Sequence, residues 1–207
     1  MEEKIVYSDI FKIAWKGLKA QFWLLVGLCI GFVIIFSLLL IFAVPAKGEA
    51  MTISSIVVCI LCFLLFGLFQ LGYLKNCFQA LDGEEPQFSA YGQESRKLLS
   101  YLIAYIIYSV IIIIGFALLI LPGLYLLLRL QFYYASMVDE NAGIIESFKR
   151  SWEITKGHTL VLFVLALMML LIILIGEIAL FVGVFIAIPL IVLMYGYAFR
   201  RLTMPMA

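Results

Sequence analysis

The sequence predicts an all-α, polytopic integral membrane protein with six transmembrane helices in three hairpins, each hairpin preceded by a cytoplasmic interfacial amphipathic helix. Of the 207 residues, 66% are hydrophobic and 13% are charged, against about 45–50% and about 25% in soluble domains. Long uncharged apolar runs recur along the chain, and basic residues are concentrated in alternate loops between them. A soluble domain of this size could not bury that much apolar surface.

The first two apolar runs each fit one membrane crossing. A helix needs about 20 apolar residues to cross a bilayer core of about 30 Å. Residues 22–44 and 52–74 meet this length, and the polar segment 45–49 predicts a short turn between them. The first run, at 23 residues, exceeds the apolar core of a secretory signal, which has about 7–15 residues. We therefore expect it to be retained as a helix.

Two later runs are too long for one crossing. Residues 98–138 and 159–199 each comprise 41 residues, and a single helix of that length would extend about 60 Å. We expect each run to fold back on itself. Pro122-Gly123 predicts a helix stop in the first run, and Gly176-Glu177 interrupts the second. The predicted spans are therefore 98–121, 124–138, 159–175 and 178–199, of which the second is short for one crossing.

The positions of Lys and Arg predict the orientation. Cytoplasmic loops of membrane proteins carry an excess of these residues. With six spans, twelve of the 14 basic residues lie on one side, namely Lys4, Lys12, Lys16, Lys19, Lys75, Arg96, Lys97, Lys149, Arg150, Lys156, Arg200 and Arg201. An odd number of spans would break this segregation. We therefore predict that both termini are cytoplasmic.

Two segments before spans have the pattern of helices that lie in the membrane interface. Apolar residues recur at spacings of three and four with basic residues on other faces, and Ser8-Asp9 offers an N-cap for the first segment. The two segments match at an offset of 137 residues, which places Phe11, Trp15 and Lys19 on Phe148, Trp152 and Lys156. Residues 88–97 form a weaker third segment.

This match suggests an internal repeat. The single membrane domain, residues 1–207, would then contain three units of an interfacial helix plus a hairpin, at 1–81, 82–138 and 139–201. The alternative is that any interfacial helix selects Trp, Phe and Lys. Superposition of the three units would decide between the two hypotheses.

Arg129 is the one clearly intramembrane charge, and such charges mark functional sites by default. One interpretation is structural, with the side chain extending outward from its position below Pro122-Gly123. The other pairs Arg129 with Glu177, which the predicted topology also places near the outer side. Such a pair would join two hairpins or bind the phosphate of a lipid headgroup.

The residues that could support catalysis or metal binding give no such site. Ser147, Ser151 and Thr155 form a polar stripe before the fifth span, and this spacing is typical of close helix packing. The four cysteines lie in apolar segments, where we expect them to be small packing residues. With a single histidine and no known catalytic motif, the sequence predicts neither enzyme, metal site nor cofactor.

Several short motifs resemble a known family. They are Gly72-Tyr73, residues 81–86, Leu121-Pro122-Gly123, Arg129-Leu130, Val138-Asp139-Glu140 and residues 146–157, which include Ser147, Arg150, Ser151, Thr155 and Gly157. In these the chain resembles the glycerophosphoryl diester phosphodiesterase membrane-domain family of bacterial six-helix proteins. The resemblance implies a membrane module of poorly defined activity. Some members carry a soluble phosphodiesterase barrel, which we expect to be absent here.

These observations predict a multi-pass protein of the bacterial plasma membrane without enzymatic activity. Its expected partner is membrane phospholipid, and a homo-oligomer or a membrane protein partner is compatible with the sequence. The net charge of +1 gives no indication of nucleic-acid binding. The alternative function is a small lipid or solute transporter, or a flippase, with a polar path near Arg129 and Glu177.

Overall fold

The fold is that of a computed structural model that describes residues 6–43, 52–178 and 183–203. In these ranges the chain is helical and contains no strand. The helices are α1 (Tyr7–Ala20), α2 (Phe22–Ala43), α3 (Ile53–Leu81), α4 (Ser89–Glu94), α5 (Leu98–Leu118), α6 (Ile120–Leu130), α7 (Tyr133–Asp139), α8 (Ile144–Ile154), α9 (Thr159–Ile178) and α10 (Val184–Thr203), with a 3₁₀ turn at Ser95–Lys97 between α4 and α5. The predicted turn at 45–49 lies outside the described residues.

Five helical segments among the described residues are long and apolar enough to cross a membrane: Phe22–Ala43, Ile53–Leu81, Ser89–Leu118, Thr159–Ile178 and Val184–Thr203. The prediction of a helical membrane protein with several spans therefore agrees with the structure. The predicted span 124–138 is not one helix. It is divided between α6 and α7, which have 11 and 7 residues.

The chain reverses between α5 and α6 earlier than predicted. Leu119, not Pro122-Gly123, has the extended backbone that ends one helix and begins the next. Pro122 instead lies in the first turn of α6, where a missing amide hydrogen breaks no helical hydrogen bond. Gly123 lies against α5, and a Cβ at this position would be 2.5 Å from the ring of Phe116. The Pro-Gly pair therefore permits close packing of α6 on α5.

The hairpin of α9 and α10 also differs from the prediction. Gly176 and Glu177 belong to α9, which continues to Ile178. A Cβ on Gly176 would be 3.0 Å from the backbone of Gly183, which directly precedes α10. Gly176 thus allows two helix ends to approach each other and does not end α9.

The first helix is attached to the bundle by one face. Ile10, Ala14, Gly17 and Leu18 are buried, and α1 packs mainly against α10. The N-cap is Val6, which makes no side-chain capping bond, so the prediction of a cap at Ser8-Asp9 was wrong.

The last helix lies at the centre of the bundle. In the apolar stretch of α10, 44% of the residues are buried inside the protein, whereas the share is 17–22% in the other four candidate spans. Phe199 of α10 packs against Phe78 of α3 and Phe132 before α7. A Cβ on Gly196 would be 3.2 Å from Phe78, so α10 and α3 are in close contact. Such small residues let helices pack closely where lipid replaces water.

Acidic and basic side chains meet at one end of the bundle, which we call the charged end. It is defined by Asp82 after α3, Lys97 before α5, Asp139 at the end of α7 and Arg200 in the last turn of α10. A short helix precedes a longer helix pair three times along the chain, beginning with α1, α4 and α8. Whether the three units superpose stays a prediction.

Candidate functional site

The break between α6 and α7 is closed by side chains of α8. A helix break leaves backbone N–H and C=O groups without intrahelical partners, which is costly away from water. The Ser151 hydroxyl donates to the Arg129 carbonyl oxygen at 2.9 Å and accepts from the Phe132 amide at 3.1 Å. Thr155 donates to the same carbonyl oxygen at 3.1 Å. Two residues of the predicted polar stripe therefore satisfy the backbone at this break.

The stripe as a whole faces the protein. Ser147, Ser151 and Thr155 are fully buried, and the Ser147 hydroxyl donates to the Ile144 carbonyl oxygen at 2.7 Å. Apolar side chains of α8 lie on its outer surface instead, since Ile145 is 71% exposed and Trp152 is 40% exposed. The burial of the stripe agrees with the close packing predicted from its spacing, and the interfacial position of this segment stays a prediction.

Arg129 is enclosed by the same contact. The residue is only 3% exposed. Its guanidinium carbon lies 4.2 Å from the ring centre of Trp152 and 5.8 Å from that of Tyr125. Among the described residues Arg129 has no ion-pair partner, and its buried Nε has no hydrogen-bond partner. Arg129 is therefore a buried cation that is covered by two partly exposed aromatic side chains.

Neither predicted environment of Arg129 agrees with this geometry. The side chain does not extend outward to the surface, because it lies beneath Trp152 of α8. It also forms no ion pair with Glu177, which is exposed near the end of α9. The structure thus separates the two charged residues that the predicted topology placed together.

Arg200 binds two acidic residues at the charged end. It donates to Asp139 at 2.9 and 3.2 Å. It also forms a bidentate ion pair with Asp82, and its guanidinium lies 4.7 Å from the ring centre of Phe78. These contacts join the ends of α3, α7 and α10, so the acidic family-motif residue Asp139 has a structural partner.

A second ion pair connects α8 to the end of α7. Arg150 donates to both carboxylate oxygens of Glu140 at 2.8–3.1 Å, and Ser136 donates to Glu140 at 2.9 Å. The hydrogen bond that Arg150 donates to Glu140 raises the pKa of Arg150 above its ordinary value. The family-motif residues Glu140 and Arg150 therefore hold α8 in position over the helix break.

Gly157 ends the α8 segment. Its φ is +83°, a backbone conformation that residues other than glycine rarely adopt. The His158 amide donates to the Thr155 carbonyl oxygen at 3.1 Å, which completes the turn before α9. The glycine in this motif is thus explained by backbone conformation.

The two matched segments make different contacts. In α1, Phe11 stacks on Trp15 and the Lys19 ammonium lies 5.5 Å from the Trp15 ring centre. In the second segment, Phe148 of α8 stacks on Tyr133 and Trp152 covers Arg129, while Lys156, which follows α8, is exposed. The aromatic and basic residues recur in sequence, but their contacts differ. The cation on Trp15 comes from the same helix, whereas the cation on Trp152 comes from α6.

The described cysteines and acidic residues are not gathered into one cluster. Cys29, Cys62 and Cys77 are buried as expected for packing residues, whereas Cys59 is exposed on α3. Within the described ranges no three His, Cys, Asp or Glu side chains lie close enough together to hold a metal ion.

A cleft lined by tyrosine and glutamine side chains, which the sequence pattern did not predict, lies between α3, α5 and the α6–α7 segment. We call it the tyrosine cleft. It has a volume of about 270 Å³ and is lined by Tyr101, Tyr105, Tyr108, Tyr133 and Tyr134 together with Gln70, Gln131 and Phe66. The spacing of the three α5 tyrosines places them on one helix face, and this was the available signal. Their meeting with Gln70 and Gln131 required the fold.

The comparisons with known proteins identify relatives without a described activity. A family model described as domain of unknown function (DUF7847) matches residues 94–207. The uncharacterised protein Rv2560 of Mycobacterium tuberculosis strain H37Rv is 31% identical over 160 residues, which cover 77% of this chain and 47% of that protein. The uncharacterised protein Mb2590 of Mycobacterium bovis gives the same values. The chain thus spans about half the length of these relatives, and no solved structure matches. None of these comparisons names the phosphodiesterase membrane-domain family suggested by the motifs.

Proposed function

We propose that this chain, which belongs to the DUF7847 family, is a non-enzymatic membrane module. In this proposal it binds anionic phospholipid at its cytoplasmic face. The observation that carries this proposal is Arg129, a buried guanidinium without an ion-pair partner among the described residues. Its covering residues Trp152 and Tyr125 are 40% and 45% exposed. Because both rings are partly exposed, a phosphate group that passes between them would reach the guanidinium.

The magnitudes favour an external anion at Arg129. Removing an ion from water costs several kcal/mol even after relaxation, whereas a desolvated cation–π contact returns about 2 kcal/mol. Trp152 and Tyr125 therefore do not balance the burial of this charge by themselves. Arg guanidinium binds phosphate through two parallel hydrogen bonds, and its terminal nitrogens have no partner among the described residues.

The proposed orientation follows from the charged end. We assign this end to the cytoplasm of a bacterial plasma membrane, with α6 and α7 together completing a sixth crossing. In this arrangement α1 presents exposed Lys12, Lys16 and Lys19 to the cytoplasmic leaflet. Each basic residue near an anionic surface contributes about 1 kcal/mol of attraction. The resemblance to the glycerophosphoryl diester phosphodiesterase membrane-domain family is part of this proposal.

Native mass spectrometry of gently solubilised protein tests the proposal. We expect wild type to retain anionic phospholipid and Arg129→Met to lose it, while Arg129→Lys retains part of it. Arg96→Met is the matched control because it removes an exposed arginine by the same substitution. Thermal unfolding verifies that each variant is folded.

Equal lipid retention by Arg129→Met and Arg96→Met, with both folded, would refute the site. A wild-type protein that retains no lipid but forms a stable oligomer or complex would instead favour a module that organises protein partners.

A second candidate function is a small lipid or solute carrier. The tyrosine cleft favours it, because a carrier needs a polar cavity among its spans. The polar path first expected near Arg129 and Glu177 would then be replaced by this cleft. Reconstituted vesicles with a fluorescent lipid would test it, since a carrier accelerates lipid exchange between leaflets and Gln70→Leu should slow that exchange.

A further inference from the structure

We infer that the tyrosine cleft binds an uncharged, hydroxyl-rich group such as a sugar or glycerol headgroup. This inference goes beyond the phospholipid site at Arg129 and does not depend on it. It rests on the composition of the cleft lining, on the arrangement of the rings and on the position of the cleft along α5.

The lining offers hydrogen bonds without charge. Five phenol groups and two carboxamides surround the cleft, and no Asp, Glu, Lys or Arg is among its lining residues. The Gln70 side chain makes no hydrogen bond with another described residue. A neutral ligand with several hydroxyl groups can use these donors and acceptors without a counter-ion.

An anion would lack a partner in the cleft. The nearest basic residue along α5 is Lys97, which precedes the helix. Its ammonium lies 2.9 Å from Glu94 and donates to the Met137 carbonyl oxygen at 3.1 Å. The lysine is thus already neutralised, and a negatively charged ligand would be desolvated without compensation.

A quaternary ammonium ion is also disfavoured, because cation–π binding needs free ring faces. Tyr133 is stacked between Tyr108 and Phe148, with ring centres 4.9 and 5.1 Å away. Tyr134 stacks on Tyr195 at 5.0 Å. These stacked neighbours reduce the ring surface that Tyr133 and Tyr134 offer to a cation.

The position of the cleft suits a lipid headgroup as well as a free polyol. Tyr108 lies about 16 Å along α5 from Lys97 at the charged end, which is roughly half of a bilayer core. Phe66 and Tyr105 at the cleft are each 38% exposed. The cleft volume of about 270 Å³ lies just below the roughly 300 Å³ of small ligand sites, so it accommodates a single headgroup.

Ligand titration by native mass spectrometry in tetraethylene glycol monooctyl ether tests this inference, because that detergent has no sugar or ammonium group. The probes are a monoglucosyl diacylglycerol and a trimethylammonium lipid with the same acyl chains. We expect the glucolipid to bind and Gln70→Leu to weaken it about 3- to 10-fold, as the loss of one hydrogen bond implies. Tyr105→Phe should weaken it about 3-fold.

Matched controls keep the interpretation specific. Gln93→Leu on α4 and Tyr197→Phe on α10 repeat the same substitutions outside the cleft lining and should leave glucolipid binding unchanged. Arg129→Met should also leave it unchanged, and Gln70→Leu should leave retention of anionic phospholipid unchanged. Failure of the phospholipid site is therefore distinguishable from failure of the cleft.

Competition with methyl glucoside shows whether the cleft binds a free polyol or a lipid headgroup. Displacement of the glucolipid at millimolar concentration identifies a site for free polyols, and resistance to displacement identifies a site for lipid headgroups. Tighter binding of the trimethylammonium lipid, or glucolipid binding that Gln70→Leu leaves unchanged in a folded protein, would overturn the inference.

Discussion

The carbonyl oxygen of Arg129 accepts a hydrogen bond from the hydroxyl of Ser151 at 2.9 Å, although 22 residues separate the two in sequence. The same hydroxyl accepts from the Phe132 amide. One serine thus serves both sides of the break between α6 and α7, and this contact fixes α8 beside the buried arginine.

Loss of the Ser151 hydroxyl is expected to destabilise the protein. Ser151→Ala should lower the free energy of unfolding by about 1–3 kcal/mol, because the buried Phe132 amide loses its acceptor. Ser109→Ala is the control, since the Ser109 hydroxyl bonds a carbonyl oxygen of its own helix. The unfolding midpoint in detergent measures both. Equal midpoints for the two variants would show that α8 does not stabilise the break.

The two carboxylates around Arg200 are expected to contribute unequally. Asp139 has 19% side-chain exposure and Asp82 has 46%, and exposed ion pairs contribute little. Asp139→Asn should therefore lower the unfolding midpoint more than Asp82→Asn. Arg200→Met should have the largest effect, since it leaves both acids without this partner. An equal effect of the two Asp variants would contradict this ranking.

Gly72 is expected to tolerate no side chain. A Cβ at this position would be 2.2 Å from the ring of Tyr91, so Gly72→Ala should cost about 1–3 kcal/mol of stability by overpacking. Gly92→Ala is the matched control, because nothing lies within 4 Å of its Cβ position. Thermal unfolding compares the two. If the contact is the cause, adding Tyr91→Ala should restore part of the loss from Gly72→Ala.

Gly157 should be sensitive for a different reason. Its φ of +83° costs about 1–2 kcal/mol for an ordinary L-residue, so Gly157→Ala is expected to destabilise although its surroundings are open. Gly157→Asn should cost less, since Asn tolerates this region better. Unfolding midpoints that rank Asn below Ala would disprove the conformational explanation.

The number of crossings can be measured by cysteine labelling in a background in which the four native cysteines are replaced by serine or alanine. We expect Leu119→Cys to react with a membrane-impermeant maleimide from outside the cell. Glu84→Cys and Gly143→Cys should react only after permeabilisation. Labelling of Leu119→Cys and Gly143→Cys from the same side would exclude a crossing by α6 and α7.

The sequence predicted the helical segments well where hydropathy alone decides them. The first span was predicted at 22–44 and α2 covers Phe22–Ala43. The ends of helices were less predictable, because a helix ends where its backbone N–H and C=O groups find hydrogen-bond partners outside the helix. Pro122-Gly123 and Gly176-Glu177 have the composition of turns, yet both pairs lie within helices whose glycines meet a neighbouring segment.

By itself the sequence determined the class of this protein, since apolar area and helical length add up residue by residue along the chain. Only the tertiary structure decided the partners of its polar groups. Arg129 meets Trp152 and not Glu177, and Gln70 joins tyrosines from α5 and α7 at one cleft. Such contacts join residues that are distant in sequence, and their energies depend on separation and enclosure, which composition and periodicity do not encode.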